Sequence, residues 1–167
     1  MDSDLAGHSA LVTGSSRGVG RGIAERLAAK GCRVAINGRG SEAVAKVVSK
    51  LDGSAPVVGD VSTPEGARAV ITETVTALGG LDVLVCNVGG GRSVPPGEET
   101  FDEWQRVFAL NLWSTTNTVQ AARKAPTASS GSIVCISSIC GLKVVRDAPV
   151  TYSAAKSALH AYVRGIA

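Results

Sequence analysis

The chain has 167 residues, 44% of them hydrophobic and 19% charged, a balance that fits one globular domain with a real core and argues against disorder. Its formal charge of +3 comes from lysines and arginines scattered through the chain, with no basic stripe or aromatic stacking set for nucleic acid. The cysteines Cys32, Cys86, Cys135 and Cys140 lie in mostly apolar segments without CxxC spacing or a histidine cluster, reading as reduced thiols of a cytoplasmic protein with no metal site; no signal core or membrane-length apolar run is present.

Short β-branched runs alternate with longer helical patterns, the sign of βαβ units and a parallel sheet. The first strand, ALV from residue 10, runs into TGSSRGVG, residues 13–20. A helix opens inside that stretch and continues to 30, with Val19, Ile23 and Leu27 at four-residue spacing and Gly31 as its C-terminal cap. RVAI from 33 and PVV from 56 are the second and third strands, and Pro64 behind Thr63 opens a helix that ends at Gly79 and Gly80. DVLVC from 82 is the fourth strand. Thr100 and Glu103 form a capping box ahead of Trp104, Val107 and Phe108, opening a helix to about Lys124. SIVCIS from 132 is the fifth strand, and the last helix begins near Thr151 with Ala155, Leu159, Tyr162 and Ile166 as its apolar stripe. Five strands and five helices use nearly the whole chain, residues 1–167, as a single α/β domain.

A strand followed by glycines and a helix start is what a dinucleotide site needs. Glycines let the backbone approach a pyrophosphate, and the free N–H groups and dipole of the helix start attract its charge. Gly14, Gly18 and Gly20 take these positions, but their spacing is GxxxGxG rather than GxGxxG. Here the sequence resembles the short-chain dehydrogenase/reductase family, whose members carry TGxxxGxG at the first strand. CNVG at 86–89 is similar to the family's NNAG, with Cys86 in place of the first Asn and with Asn87 and Gly89 matching. Asp60, followed by Val61 in GDV, sits where the family places the Asp that binds near the adenine ring. The resemblance implies a Rossmann-type, doubly wound parallel sheet of about five strands in the order 3-2-1-4-5. It also implies a cofactor site that includes Gly14, Ser16, Arg17, Gly18, Val19, Gly20, Asp60, Val61, Asn87 and Gly89.

NAD users of this fold hold the ribose 2′-hydroxyl with an acidic residue at the end of the second strand. That stretch reads VAINGRG, with Gly38 where the carboxylate would stand and Arg39 after it; Arg17 lies inside the glycine loop. Two guanidinium groups can clamp a 2′-phosphate, so the expected cofactor is NADP(H).

In TYSAAK, residues 151–156, Tyr152 and Lys156 are four apart and share one helical face. A phenol is a poor base near neutrality, its reference pKa being about 10, and a neighbouring ammonium favours the deprotonated form. Tyr152 and Lys156 are therefore candidate proton-transfer and cofactor-binding residues. By resemblance, Ser138 in ISS matches the family serine that hydrogen-bonds the substrate oxygen, with Ser137 as the neighbour that serves the strand-end backbone. Asn111 in ALNLW matches the family asparagine whose helix distortion supports a water linked to the lysine. The implied chemistry is hydride transfer between a nicotinamide and the carbon of a small-molecule carbonyl or alcohol. His8 and His160 have no partner set and stay outside this scheme. Arg92, in the irregular stretch 89–100, lies over the mouth of the site and could meet an acidic substrate.

Family members continue past this point with two further strands and a substrate loop. The resemblance therefore implies a substrate pocket incomplete here, and an edge strand, SIVCIS, built for burial on both faces and open to pairing with another chain. It further implies a homo-oligomer assembled through the fourth and last helices. Two functions follow as expectations: an NADP(H)-dependent oxidoreductase, and a catalytically silent NADP-binding module derived from one.

Overall fold

A computed structural model describes residues 5–125, 128–143 and 145–167, without the side chains of 128–130; the acidic start at residues 1–4 lies outside the described residues. Five strands, β1 (Ser9–Val12), β2 (Arg33–Gly38), β3 (Ser54–Val58), β4 (Leu81–Cys86) and β5 (Ala128–Cys135), form one sheet in the order β3-β2-β1-β4-β5. Every pairing is parallel. Parallel neighbours need crossovers, which run through α1 (Gly18–Ala29), α2 (Ser41–Val48), α3 (Pro64–Leu78), α4 (Phe101–Phe108) and α5 (Ser114–Arg123); α6 (Val150–Ile166) follows β5. The chain moves outward from β1 to β3 and then returns to β4 on the other side. This reversal opens a crevice at the carboxyl ends of the central strands.

Side chains alternate across the sheet with the two-residue period of a strand. Leu11, Ala35, Val57, Leu84 and Cys86 pack on one face with Ala67, Val70, Ile71 and Leu78 of α3 and Val119 of α5. Ala10, Val12, Val34, Ile36 and Val85 pack on the other with Ala24 of α1 and Val44 and Val47 of α2. Each fully buried Val or Leu contributes roughly 1.5–3 kcal/mol relative to exposure. Thr63 caps α3 by accepting from the Gly66 N–H at 3.1 Å, and Gly79 closes it in the left-handed region at φ 74°.

One expectation is corrected. Val19 is 68% exposed and lines an open cleft instead of the core, and Gly20 and Ala24 are the buried positions of α1. The helix expected from Thr100 to about Lys124 forms, and the distortion expected at Asn111 is a π-helical turn, Ala109–Trp113, that joins α4 to α5. As expected, β5 stands at the open edge of the sheet, where Ile133 and Val134 are 42% and 48% exposed.

Candidate active site

A cleft of about 870 Å³ opens at the carboxyl ends of the central strands. Its floor at β1 is the glycine loop, with Gly14 and Gly18 at φ 65° and 57°, where a side chain is strained. Gly20 is buried and acts by letting another group in: a Cβ there would strike the Asn87 amide and lie 2.7 Å from the Gly14 carbonyl oxygen. Asn87 uses that space to donate from Nδ2 to the carbonyls of Thr13 and Gly14 at 3.0 and 3.3 Å. Arg17 at the N-cap of α1 makes no side-chain cap bond. The unpaired N–H groups of the first turn are thus left for an anion. Ser16, Arg17, Gly18 and Val19 all line the cleft.

Asn37, absent from the expected site, holds this loop in place. It is 1% exposed. Its Oδ1 accepts from the Gly14 N–H at 3.2 Å, its Nδ2 donates to the carbonyls of Val57 and Gly59 at 3.1 and 3.3 Å, and its backbone N–H donates to Ser15 Oγ at 3.0 Å. One buried amide therefore joins the glycine loop to β2 and β3. Its signal in the sequence is a polar amide at the end of the apolar run RVAIN, which must find partners once buried.

At the outer end of the cleft, a Cβ on Gly38 would lie 2.8 Å from Ser16 Oγ and 3.1 Å from Val44 Cγ2, so an acidic side chain there would have to displace Ser16. Arg39 is exposed, with Nη1 3.7 Å from Asp60 Oδ2, an ion pair that solvent screens to little net energy. Asp60 Oδ1 accepts from the Ser62 N–H at 2.9 Å, and Val61 beside it is buried. Arg17 is exposed and lines the same cleft.

At the inner end, α6 brings Tyr152 and Lys156 to the cleft together. Lys156 is 3% exposed. Its Nζ donates to the Ile136 carbonyl at 2.9 Å and lies 6.0 Å from the centre of the Tyr152 ring. Burial holds its pKa below the ordinary lysine value. Asn111 is fully buried in the π-helical turn, where Oδ1 accepts from the Gly90 N–H at 2.9 Å and Nδ2 donates to the carbonyls of Gly90 and Val107 at 3.1 and 3.0 Å. Such turns reshape a helix locally to re-aim a side chain. A Cβ on Gly89 would lie 2.9 Å from Asn111 Oδ1 and 3.2 Å from Lys156 Nζ, so the missing side chain keeps the gap between them open. Cys86, which stands for the first Asn of the family motif, is buried and pairs in register with Cys135.

Ser137 does not make the strand-end backbone bond expected of it, and Ser138 makes one beside its free hydroxyl proton. Ser138 serves the backbone, its Oγ accepting from the Cys140 N–H at 3.2 Å at the start of the 3-10 turn Ile139–Gly141. Ser137 lines the cleft, and its buried hydroxyl has no partner. Accepting from an N–H leaves the Ser138 hydroxyl proton free to donate.

The capping box is half formed. Thr100 Oγ1 accepts from the Glu103 N–H at 3.2 Å, but the Glu103 carboxylate turns to Arg106 and Ser93. Hydrogen bonds from Arg106 and then Ser93 hold it down at about 2. A carboxyl with a depressed folded pKa stabilises the fold above its ordinary value of 4.5 and loses that contribution as the pH falls through about 2. The Tm difference between the native chain and Glu103→Gln is therefore expected to shrink steadily across that window in acid melts. A difference that stays constant would refute the pairing. Among the described residues, no group of three or more His, Cys, Asp or Glu side chains could hold a metal, and no helix is long and apolar enough to cross a membrane.

Comparison with known proteins gives the same picture. Glucose 1-dehydrogenase 2 of Bacillus subtilis (strain 168) is 33% identical over 167 residues, covering 95% of this chain and 64% of its own length. A short chain dehydrogenase from Burkholderia cenocepacia J2315 in complex with NADP superposes with a TM-score of 0.87 at 32% identity, over 98% of this chain and 68% of that one. A 7α-hydroxysteroid dehydrogenase complexed with NADH and 7-oxo glycochenodeoxycholic acid gives 0.89 at 25% identity, over 97% and 65%. The chain spans between 42% and 69% of the length of curated relatives of this kind. The family model for short chain dehydrogenase matches residues 8–167, the whole fold from β1 to the last helix, and the chain belongs to the short-chain dehydrogenase/reductase family.

Proposed function

We propose that the chain carries the cofactor half and the proton-transfer residues of an NADP(H)-dependent oxidoreductase that interconverts a carbonyl and an alcohol on a small molecule. The observation that carries this reading is the convergence of Tyr152, buried Lys156 and Asn111 along Gly89, Gly90 and Gly91, at the end of the cleft that begins at the glycine loop. The cleft fits a dinucleotide because Gly20 leaves the loop and Asn87 in close approach while the start of α1 is uncapped. When bound, the nicotinamide supplies or accepts the hydride.

The residues of this chain then divide the remaining work. Gly14, Ser16, Gly18, Val19 and Gly20 would hold the pyrophosphate, Asp60 and Val61 the adenine end, and Asn87 and Gly89 the inner ribose region. Arg17 and Arg39 would meet a 2′-phosphate, and Gly38 leaves no carboxylate to repel it. Tyr152 gives its hydroxyl proton to the substrate oxygen or takes it back, and Ser138 donates its free proton to the same oxygen. Lys156 binds ribose hydroxyls beside the Tyr152 ring, with Asn111 supporting resupply of the proton. Exposed Phe101, Trp113 and Val150, on α4, the π-helical turn and α6, support association of copies through those helices.

The test is fluorescence titration with NADPH and NADH, followed by a carbonyl panel scored by NADPH consumption. NADPH is expected to bind at least about tenfold more tightly, since charge-assisted hydrogen bonds contribute roughly 1.5–3 kcal/mol. Arg39→Ala is expected to remove most of that ratio. Tighter binding of NADH would overturn the cofactor assignment.

A further inference from the structure

The loop between β4 and α4 runs past the Tyr152 ring and is fastened on both sides of it. On one side Gly90 exchanges two hydrogen bonds with the Asn111 side chain, at 2.9 and 3.1 Å. On the other, Ser93 Oγ donates to Glu103 Oε1 at 2.7 Å and lies 2.7 Å from Thr151 Oγ1. Between these points Gly91 sits against the aromatic ring: a Cβ there would lie 3.7–3.8 Å from three of its carbons.

Proton counting gives the second fastening a direction. An ionised carboxylate can only accept, so the single Ser93 proton goes to Glu103. The short contact with Thr151 is then Thr151 donating to Ser93. Thr151 is fully buried, and a buried hydroxyl without a partner is costly. The far end is anchored by Arg106, which donates to the two carboxylate oxygens at 2.8 and 2.6 Å and also to the Arg92 carbonyl at 2.9 Å. The result is one chain of hydrogen bonds, Thr151 to Ser93 to Glu103, closed by a guanidinium. Its first member is the residue immediately before Tyr152 in the first turn of α6.

We propose that Thr151, Ser93 and Glu103 are positioning residues, a clamp that fixes the start of α6 against the loop and thereby sets the Tyr152 ring over the cleft. None of the three need touch the substrate. Members of one polar network that begins at a buried hydroxyl act together, so breaking any link loosens both the loop and the first turn of α6. The kinetic part rests on the reading of Tyr152 as the proton-transfer group; the structural part does not.

The decisive comparison is Thr151→Val, which keeps the shape and loses the donor, against Thr151→Ser, which keeps the donor. Amide hydrogen exchange at residues 90–94 is expected to speed up about tenfold in Thr151→Val, the factor carried by one lost hydrogen bond. It should stay near the native rate in Thr151→Ser. Ser93→Ala and Glu103→Gln cut the same chain nearer the surface and serve if the valine variant fails to fold. With a substrate from the carbonyl panel, Thr151→Val should lower kcat about tenfold or more with KM within about twofold, and Thr151→Ser should restore it. Native exchange rates in Thr151→Val, or a rise in KM at unchanged kcat, would overturn the clamp. Exchange needs no turnover: a native chain that reduces no carbonyl refutes the oxidoreductase reading, and the clamp stands or falls on exchange alone.

Discussion

Tyr152→Phe is expected to lower kcat for carbonyl reduction by about 10²–10⁴-fold, the range that a positioned proton donor supplies, while Tm and NADPH affinity stay close to native. The substitution removes one oxygen and leaves the ring, whose edge packs against Gly91. Lys156 keeps its bond to the Ile136 carbonyl, and Asn111 keeps its pair of bonds to Gly90. What is lost is the proton at the point where the substrate oxygen gains charge, together with the benefit of an ammonium 6.0 Å from the ring centre. A loss of this size corresponds to roughly 2.7–5.4 kcal/mol of transition-state stabilisation. Activity within threefold of native would remove Tyr152 from the proton path. A collapse of Tm would show instead that the hydroxyl serves the fold.

Features carried by a short stretch of chain were legible in the sequence, and those carried by contacts between distant stretches were not. ALV running into TGSSRGVG encodes strand, turn and helix start within one segment, and the structure places the glycines where that reading put them. The sheet order followed from the alternation of strands and helices together with the family resemblance. Val19 departs from the expected stripe because four-residue spacing says which residues share a face and not whether core or open cleft lies beside that part of the helix. Glu103 fits a capping box by its spacing, yet the carboxylate goes to Ser93 and Arg106 because a guanidinium three residues away on the same helix outcompetes a backbone N–H. Asn37 was passed over since its partners, Gly14, Val57 and Gly59, converge only after β1, β2 and β3 have paired. The parts of Ser137 and Ser138 depended on the 3-10 turn that begins at Ile139, which composition does not announce.

Gly20→Ala sets helix propensity against packing, and packing is expected to win. Alanine is the better helix former by roughly 0.8–1 kcal/mol, so propensity alone predicts a more stable α1. The added carbon, however, would meet the Asn87 amide and come to 2.7 Å from the Gly14 carbonyl oxygen. Neither is the free end of a flexible side chain: the carbonyl belongs to the strained glycine loop, and the amide is held by two hydrogen bonds to that loop. Relieving the overlap means breaking those bonds, at about 0.5–1.5 kcal/mol each, or shifting the backbone, at about 1–3 kcal/mol. Net destabilisation of up to about 2 kcal/mol follows, a Tm fall of up to about 8 °C for a domain of this size, with NADPH affinity reduced at least about tenfold as the loop loses its shape. Gly22, two residues further along α1, is the control. A Cβ there meets nothing within 4 Å, so Gly22→Ala should raise Tm slightly and leave NADPH binding unchanged. If the two alanines behaved alike in melting and titration, the close approach of Asn87 to α1 would not be what the glycine at position 20 provides.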